Sequence, residues 1–313
     1  MAGFRPRRLR GGDRRLSGPR APLRRALRAG GLMAPPGKVP AGRAGWPASE
    51  LGLRAVSGAV LGLAVLAATL TGGWLFALVW LAAGLAIVGE WLAITGTRPY
   101  RPLLGLAGLV LAGLVAGARL GAPAPWLAAG AGAGAALLAL LARPPAGRLW
   151  APLSLACAGV VALVPVLLRD DPRIGLAGPL WLFGTVWTTD IAAYFTGRAL
   201  GGPKLWPAVS PKKTWSGFCG GLLGATLVGG AIAANAAHLG GAASLPAASA
   251  LLLSALGSVL SQGGDLAESA LKRAYGAKDS GRLIPGHGGV MDRLDGFFAV
   301  ALLAGLILAL QAG

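Results

Sequence analysis

The sequence predicts an all-α integral membrane protein of about nine transmembrane helices, with a cytoplasmic amino terminus preceded by a disordered, Arg-rich tail. Three observations carry that expectation. The 313 residues are 55% hydrophobic and only 13% charged, the proportions of a chain with little water-facing surface to cover. From Ala55 onward nine apolar stretches follow one another, most of them near the roughly twenty residues that cross a bilayer core as helix. The cations then alternate by loop. With the amino terminus inside, 26 lysines and arginines fall on inner segments, and Arg119, Arg169 and Arg173 alone fall on outer ones.

Residues 1–50 hold twelve Lys and Arg against two acids and almost no apolar periodicity, so they bury too little surface to offset the entropy of ordering. They read as a disordered basic extension without chemistry: an extension upstream of a chain that can begin at Met33 is the preferred reading, beside a polybasic arm drawn to anionic lipid and an acid-poor transit peptide. They also supply +10 of the formal charge of +18, so the charge marks a tail and a membrane topology, and no nucleic-acid partner is expected. Residues 51–313 form the membrane domain. Its apolar stretches run 55–71, 74–95, 103–119, 125–142, 150–168, 175–197, 216–237, 247–262 and 296–311. The eighth is short by itself, and its helix is expected to continue through Leu266 and Ser269. Glycines spaced along a helix face, such as Gly217, Gly220, Gly221 and Gly224, or Gly130 and Gly134, predict close helix packing. Glu90, at the inner end of the second stretch, is read as structural, either snorkelling to the interface or pairing with Arg98. Cys157 and Cys219 are read as small buried hydrophobes, with no disulfide and no zinc spacing.

Chemistry concentrates in two polar segments. The first, Ser261–Gly296, packs five of the chain's eleven carboxylates and five of its cations into 36 residues between apolar stretches. Hard carboxylate oxygens suit Mg²⁺, Lys and Arg suit phosphate oxygens, and Gly286, Gly288 and Gly289 around His287 allow close approach of backbone to a ligand. Asp265 closes the eighth stretch while Asp292 and Asp295 open the ninth, so an antiparallel connection brings the three together at the membrane surface. The second segment, Thr188–Gly217, has Asp190 inside an apolar stretch and Tyr194 one turn later on the same face. Two cations, Lys212 and Lys213, then lie beside the hydroxyls of Ser210 and Thr214.

The run of Ser269, Leu271, Lys272, Arg273, Lys278, Asp279, Gly281, Ile284, Pro285, His287, Gly288, Gly289, Val290, Asp292, Arg293 and Asp295 resembles the signature of the phosphatidate cytidylyltransferases, with every spacing kept. DxxAYxxG from Asp190, followed by SPKKTWxG from Ser210, is similar to the same family; one departure is Ser216, where many members carry Glu. The resemblance implies transfer of a cytidylyl group from CTP to phosphatidate at the cytoplasmic face of a bacterial inner membrane, giving CDP-diacylglycerol and pyrophosphate. It assigns Asp265, Lys272, Asp292, Asp295 and His287 to catalysis, with Asp265, Asp292 and Asp295 as ligands of Mg²⁺. Asp190, Tyr194, Ser210, Lys212, Lys213, Thr214, Ser269, Arg273, Lys278, Asp279 and Arg293 are expected to bind substrate. A second metal or monovalent ion and a homodimer stay open. Two rival readings are a CTP-dependent kinase of a polyprenol or phytol and an ion-coupled transporter, the latter opposed by the absence of an internal repeat.

Overall fold

The computed structural model describes residues 48–284 and 288–312, so His287 and the basic extension before Ala48 lie outside the described residues. Nine long helices appear among them in the expected order: α1 Ala48–Thr71, α2 Gly73–Thr95, α3 Tyr100–Arg119, α4 Ala124–Leu141, α5 Gly147–Asp170, α6 Ala177–Leu200, α7 Trp215–Ala234, α8 Ala247–Ala274 and α9 Met291–Ala312. Seven of them, α2 to α5 and α7 to α9, are long and apolar enough to cross a membrane. The apolar part of α1 is the shorter Val56–Thr71, and α6, which carries Asp190, is not among the seven. Length and composition by themselves therefore support seven crossings.

The breaks between helices follow local chemistry. Gly96 ends α2 in the left-handed region (φ 67°), and the Thr97 amide reaches back 3.0 Å to the carbonyl of Leu92. Pro99, Pro123 and Pro246 stand immediately before α3, α4 and α8. At the opposite end of the bundle from the polar segments, charged side chains hold elements together. Arg169 donates to the Thr69 carbonyl at the end of α1 (3.0 Å), and Arg119 pairs with Asp170. The hydrogen bond from Arg173 also holds the Asp171 carboxyl below its usual range.

One helix, α5, packs against α2, α3, α4 and α9, while α6, α7, α8 and α9 pack in succession. Aromatic rings join the two groups: Trp80 of α2, Phe297 of α9 and Phe183 of α6 stack on one another, Trp80 at 4.7 Å from Phe297 and 6.0 Å from Phe183. The glycine faces do pack helices. A Cβ on Gly221 of α7 would stand 2.8 Å from the Thr189 carbonyl of α6, and one on Gly134 of α4 2.7 Å from Val110 of α3. Cys157 is buried as expected, but Cys219 is exposed, because it points away from that seam.

The chain departs from an all-helical reading between α6 and α7. Strand β1 (Lys204–Trp206) pairs antiparallel with β2 (Ser210–Thr214), and the connection tucks Val209 inside at 2% exposure. Pro211 cannot continue a helix, and the polar residues around it leave a short ribbon as the way to pair backbone groups at this surface. Thr214 then accepts from the Gly217 amide at 3.1 Å and starts α7.

Candidate active site

Two cavities open where α6, the hairpin, α8 and α9 meet. The first, of about 360 Å³, is lined by Asp190, Asp265, Lys272, Asp279, Asp292, Arg293 and Asp295. Its lining is charged throughout, with Asp190 from within α6, Asp265 and Lys272 from the polar end of α8, and Asp292, Arg293 and Asp295 from the start of α9. α8 runs on to Ala274, past the apolar stretch, and so delivers Asp265 and Lys272 to the same level as the first turn of α9. The approach of these two helices is close. A Cβ on Gly264 would lie 2.6 Å from the Asp295 carbonyl, so no larger residue fits there without moving α8.

The second cavity, of about 480 Å³, shares Asp190 and Asp265 with the first and adds Tyr194, Arg198, Lys204, Lys212, Lys213 and Thr214, with Ala193, Leu205, Pro211 and Phe218 among its apolar lining. Four cations thus face a pocket that has apolar surface as well. On the flank of α6, Ile191, Tyr194 and Phe195 are all more than half exposed, so apolar surface continues beside the pocket.

Within the first cavity the acids are held apart by cations and amides. Lys213 of β2 lies 2.5 Å from Asp265, which also accepts from Ser269 at 3.3 Å. Lys272 bridges two helices, 2.6 Å from Asp292 and 3.2 Å from Glu268. Asp292 meets three donors, which leaves one lone pair on Oδ1: Oδ1 takes Lys272, and Oδ2 takes the amides of Ser280 (2.8 Å) and Gly289 (2.9 Å). Asp295 accepts from the Gly296 amide at 2.7 Å. Glu268, 8% exposed, lies against Asp295; the Lys272 ammonium stands 3.2 Å from its Oε1, and its Oε2 meets no donor.

The buried Glu268 carboxylate, whose Oε2 meets no donor, and the hard donor set around it fit a divalent cation such as Mg²⁺. Among the described residues no three acids are already drawn into a ligand cage. Lys213 and Lys272 account for this in part, since each is drawn in between carboxylates and partly neutralises them.

The structure brings most of the expected residues together and leaves some aside. Asp190, Asp265, Lys272, Asp279, Asp292, Arg293 and Asp295 share the first cavity, and Tyr194, Lys212, Lys213 and Thr214 the second. Ser210 lines neither and serves the hairpin register opposite Trp206. Ser269 orients Asp265, Arg273 closes the turn after α8 by donating to the Ala277 carbonyl at 2.9 Å, and Lys278 is exposed. Thr214 lines its cavity while also capping a helix. Ser216 donates to the Gly201 carbonyl, tying the hairpin base to the end of α6.

One expectation is corrected. Glu90 neither snorkels nor pairs with Arg98. At 6% exposure it accepts from Ser280 Oγ (2.7 Å) and from the amides of Val290 and Met291 (both 2.9 Å). Gly288 and Gly289 stand close against the chain's own side chains. A Cβ on Gly288, whose φ is +88°, would come within 2.9 Å of Asp292, and one on Gly289 would overlap Ser280 and Glu90. Arg198, Lys204, Gln262 and Glu268 join the site without having been expected there. Glu268 had a signal, since it falls one turn after Asp265 on a helix with Lys272 one turn further.

Comparison with known proteins sets this geometry in a family. The model of the cytidylyltransferase family matches residues 52–311, all but the first fifty-one residues and the last two. The chain belongs to the cytidylyltransferase family. Among its relatives is a phosphatidate cytidylyltransferase of Brucella suis biovar 1, 44% identical over 266 residues, which are 84% of this chain and 95% of that one. One of Brucella abortus biovar 1 is 43% identical over the same lengths. A phosphatidate cytidylyltransferase of Bacillus subtilis is 42% identical over 143 residues, 46% of this chain and 51% of its own.

Proposed function

We propose that this cytidylyltransferase takes CTP and phosphatidate as substrates and makes CDP-diacylglycerol and pyrophosphate, at the cytoplasmic face of a bacterial inner membrane. One observation carries the reading: an acid-lined cavity and a cation-lined, partly apolar cavity meet at a common wall, Asp190 and Asp265. That is the layout required to bring a nucleoside triphosphate and an anionic lipid headgroup into contact at a membrane. The names of the Brucella relatives point to the same substrate pair.

The attacking group is a phosphate monoester oxygen, already anionic near neutral pH, so no strong general base is needed. That oxygen bonds to the α-phosphorus of CTP, the bond to the bridging oxygen breaks, and pyrophosphate leaves with the electron pair. The protein's task is to hold two mutually repelling anions in line and to neutralise charge as it moves. Lys212, Lys213, Arg198 and Lys204 hold phosphate oxygens on one side, and Arg293 does so on the other. Lys272, fixed between Glu268 and Asp292, keeps the acids of α8 and α9 in place. Asp265, Asp292 and Asp295 are the residues that would hold Mg²⁺, with Glu268 beside them. Bound there, Mg²⁺ supplies positive charge next to the α-phosphorus and the departing pyrophosphate.

The deciding experiment uses purified protein in phosphatidate-containing micelles with Mg²⁺ and CTP labelled either in the cytidine or at the γ-phosphate. The expected result is cytidine label in the lipid and γ-label in released pyrophosphate. A γ-labelled lipid would replace this reading with that of a lipid kinase.

A further inference from the structure

Glu90 lines neither cavity, yet it holds the loop that builds one of them. It comes from α2, in the part of the chain without a motif. Among the described residues it forms no ion pair. Its charge is instead satisfied by donors from the loop after α8 and from the start of α9: Oε1 accepts the Val290 amide, and Oε2 accepts the Met291 amide and the Ser280 hydroxyl. A carboxylate at the first turn of a helix also meets the positive end of the helix dipole.

The loop is cut to fit this side chain. A Cβ on Gly281 would stand 2.6 Å from Oε1, and one on Gly289 would collide with the same carboxylate. Ser280, 6% exposed, passes the contact on. Its hydroxyl donates to Glu90 and accepts from the Asp292 amide at 3.3 Å, while its own amide donates to Asp292 Oδ2 at 2.8 Å. Asp292 then continues to Lys272, and Lys272 to Glu268. The chain of contacts runs unbroken from α2 to the acidic cavity.

We propose that Glu90 is a positioning residue for the reaction, fixing the first turn of α9 so that Asp292 and Asp295 stand where the cavity needs them; the inference rests on the reaction proposed above. Glu90 is acceptor to three donors, and both oxygens are used. Gln keeps the size but presents an NH₂ where one oxygen stood, setting a donor against a donor.

The test compares full-length protein with Glu90→Gln, Ser280→Ala, the double variant, and Asp170→Asn as a control at the other end of the bundle. Two readouts are taken at a temperature where all remain folded: kcat with phosphatidate and CTP, and hydrogen exchange of the amides of residues 280–284 and 288–292. Glu90→Gln is expected to lower kcat at least about tenfold, the scale found when a group orienting a functional residue is removed. Faster exchange should be confined to residues 280–284 and 288–292, and the double variant should lose less than the two single losses combined, because Glu90 and Ser280 share one contact. Asp170→Asn should leave both readouts unchanged. Near-normal kcat in Glu90→Gln would overturn the proposal. So would a loss of rate accompanied by faster exchange throughout the bundle, which is general destabilisation. The exchange measurement needs no substrate. If the unaltered protein transfers no cytidylyl group, the reaction assignment fails while the exchange result still decides whether Glu90 holds the loop.

Discussion

At the scale of single residues, the acids that line the first cavity do not all do the same work. Asp265 and Asp295 meet few donors from the chain, whereas Asp292 is occupied by Lys272 and two backbone amides. Asp265→Asn and Asp295→Asn are therefore expected to reduce turnover at least a hundredfold at saturating Mg²⁺ with little change in thermal stability. Asp292→Ala should lose turnover and, in addition, about 3 kcal/mol of stability, because it strips a buried ammonium of its nearer partner. Unfolding curves measured beside initial rates separate the two classes, and equal destabilisation by all three would refute the distinction. These acids were legible in the sequence, because a carboxylate in so apolar a chain has few bland explanations. The partners of Glu90 were not: they lie 190 to 201 positions away, and nothing local marks the pairing.

At the scale of elements, helix order and the continuation of α8 past its apolar stretch could be read from periodicity and length. The hairpin could not, since Ser210–Thr214 has a proline, two lysines and no apolar alternation. Its strand character comes from pairing with β1 and from the buried Val209 between them. The approach of α8 to α9 is the element-level feature on which the acidic cavity depends most directly. Gly264→Val would force a side chain onto the Asp295 carbonyl and against Ala299. The expected outcome is a loss of about 1 to 3 kcal/mol in unfolding free energy, as for overpacked sites, with turnover falling further than stability explains. A variant with normal rates would mean that the two helices can separate without disturbing Asp265 and Asp295.

At the scale of the whole molecule, the 26 to 3 division of cations predicts that the polar segments face the cytoplasm. Arg282, exposed in the loop before α9, is a suitable probe; its neighbour Ser280 is buried by Glu90 and is not. With Cys157 and Cys219 replaced, Arg282→Cys should react with a membrane-impermeant thiol reagent in inverted vesicles and not in intact cells, and the reverse pattern would invert the topology. The family match over residues 52–311 covers the early helices, although every motif read from the sequence falls between Thr188 and Gly296. The hold of α2 on the loop gives those early helices a physical reason to be kept. Were the motif-bearing half expressed by itself, Ser280 Oγ and the amides of Val290 and Met291 would lose the acceptor that holds them in place. The segment that carries the chemistry is thus not a detachable cassette, and a graft of it onto another membrane scaffold would have to bring an α2 along.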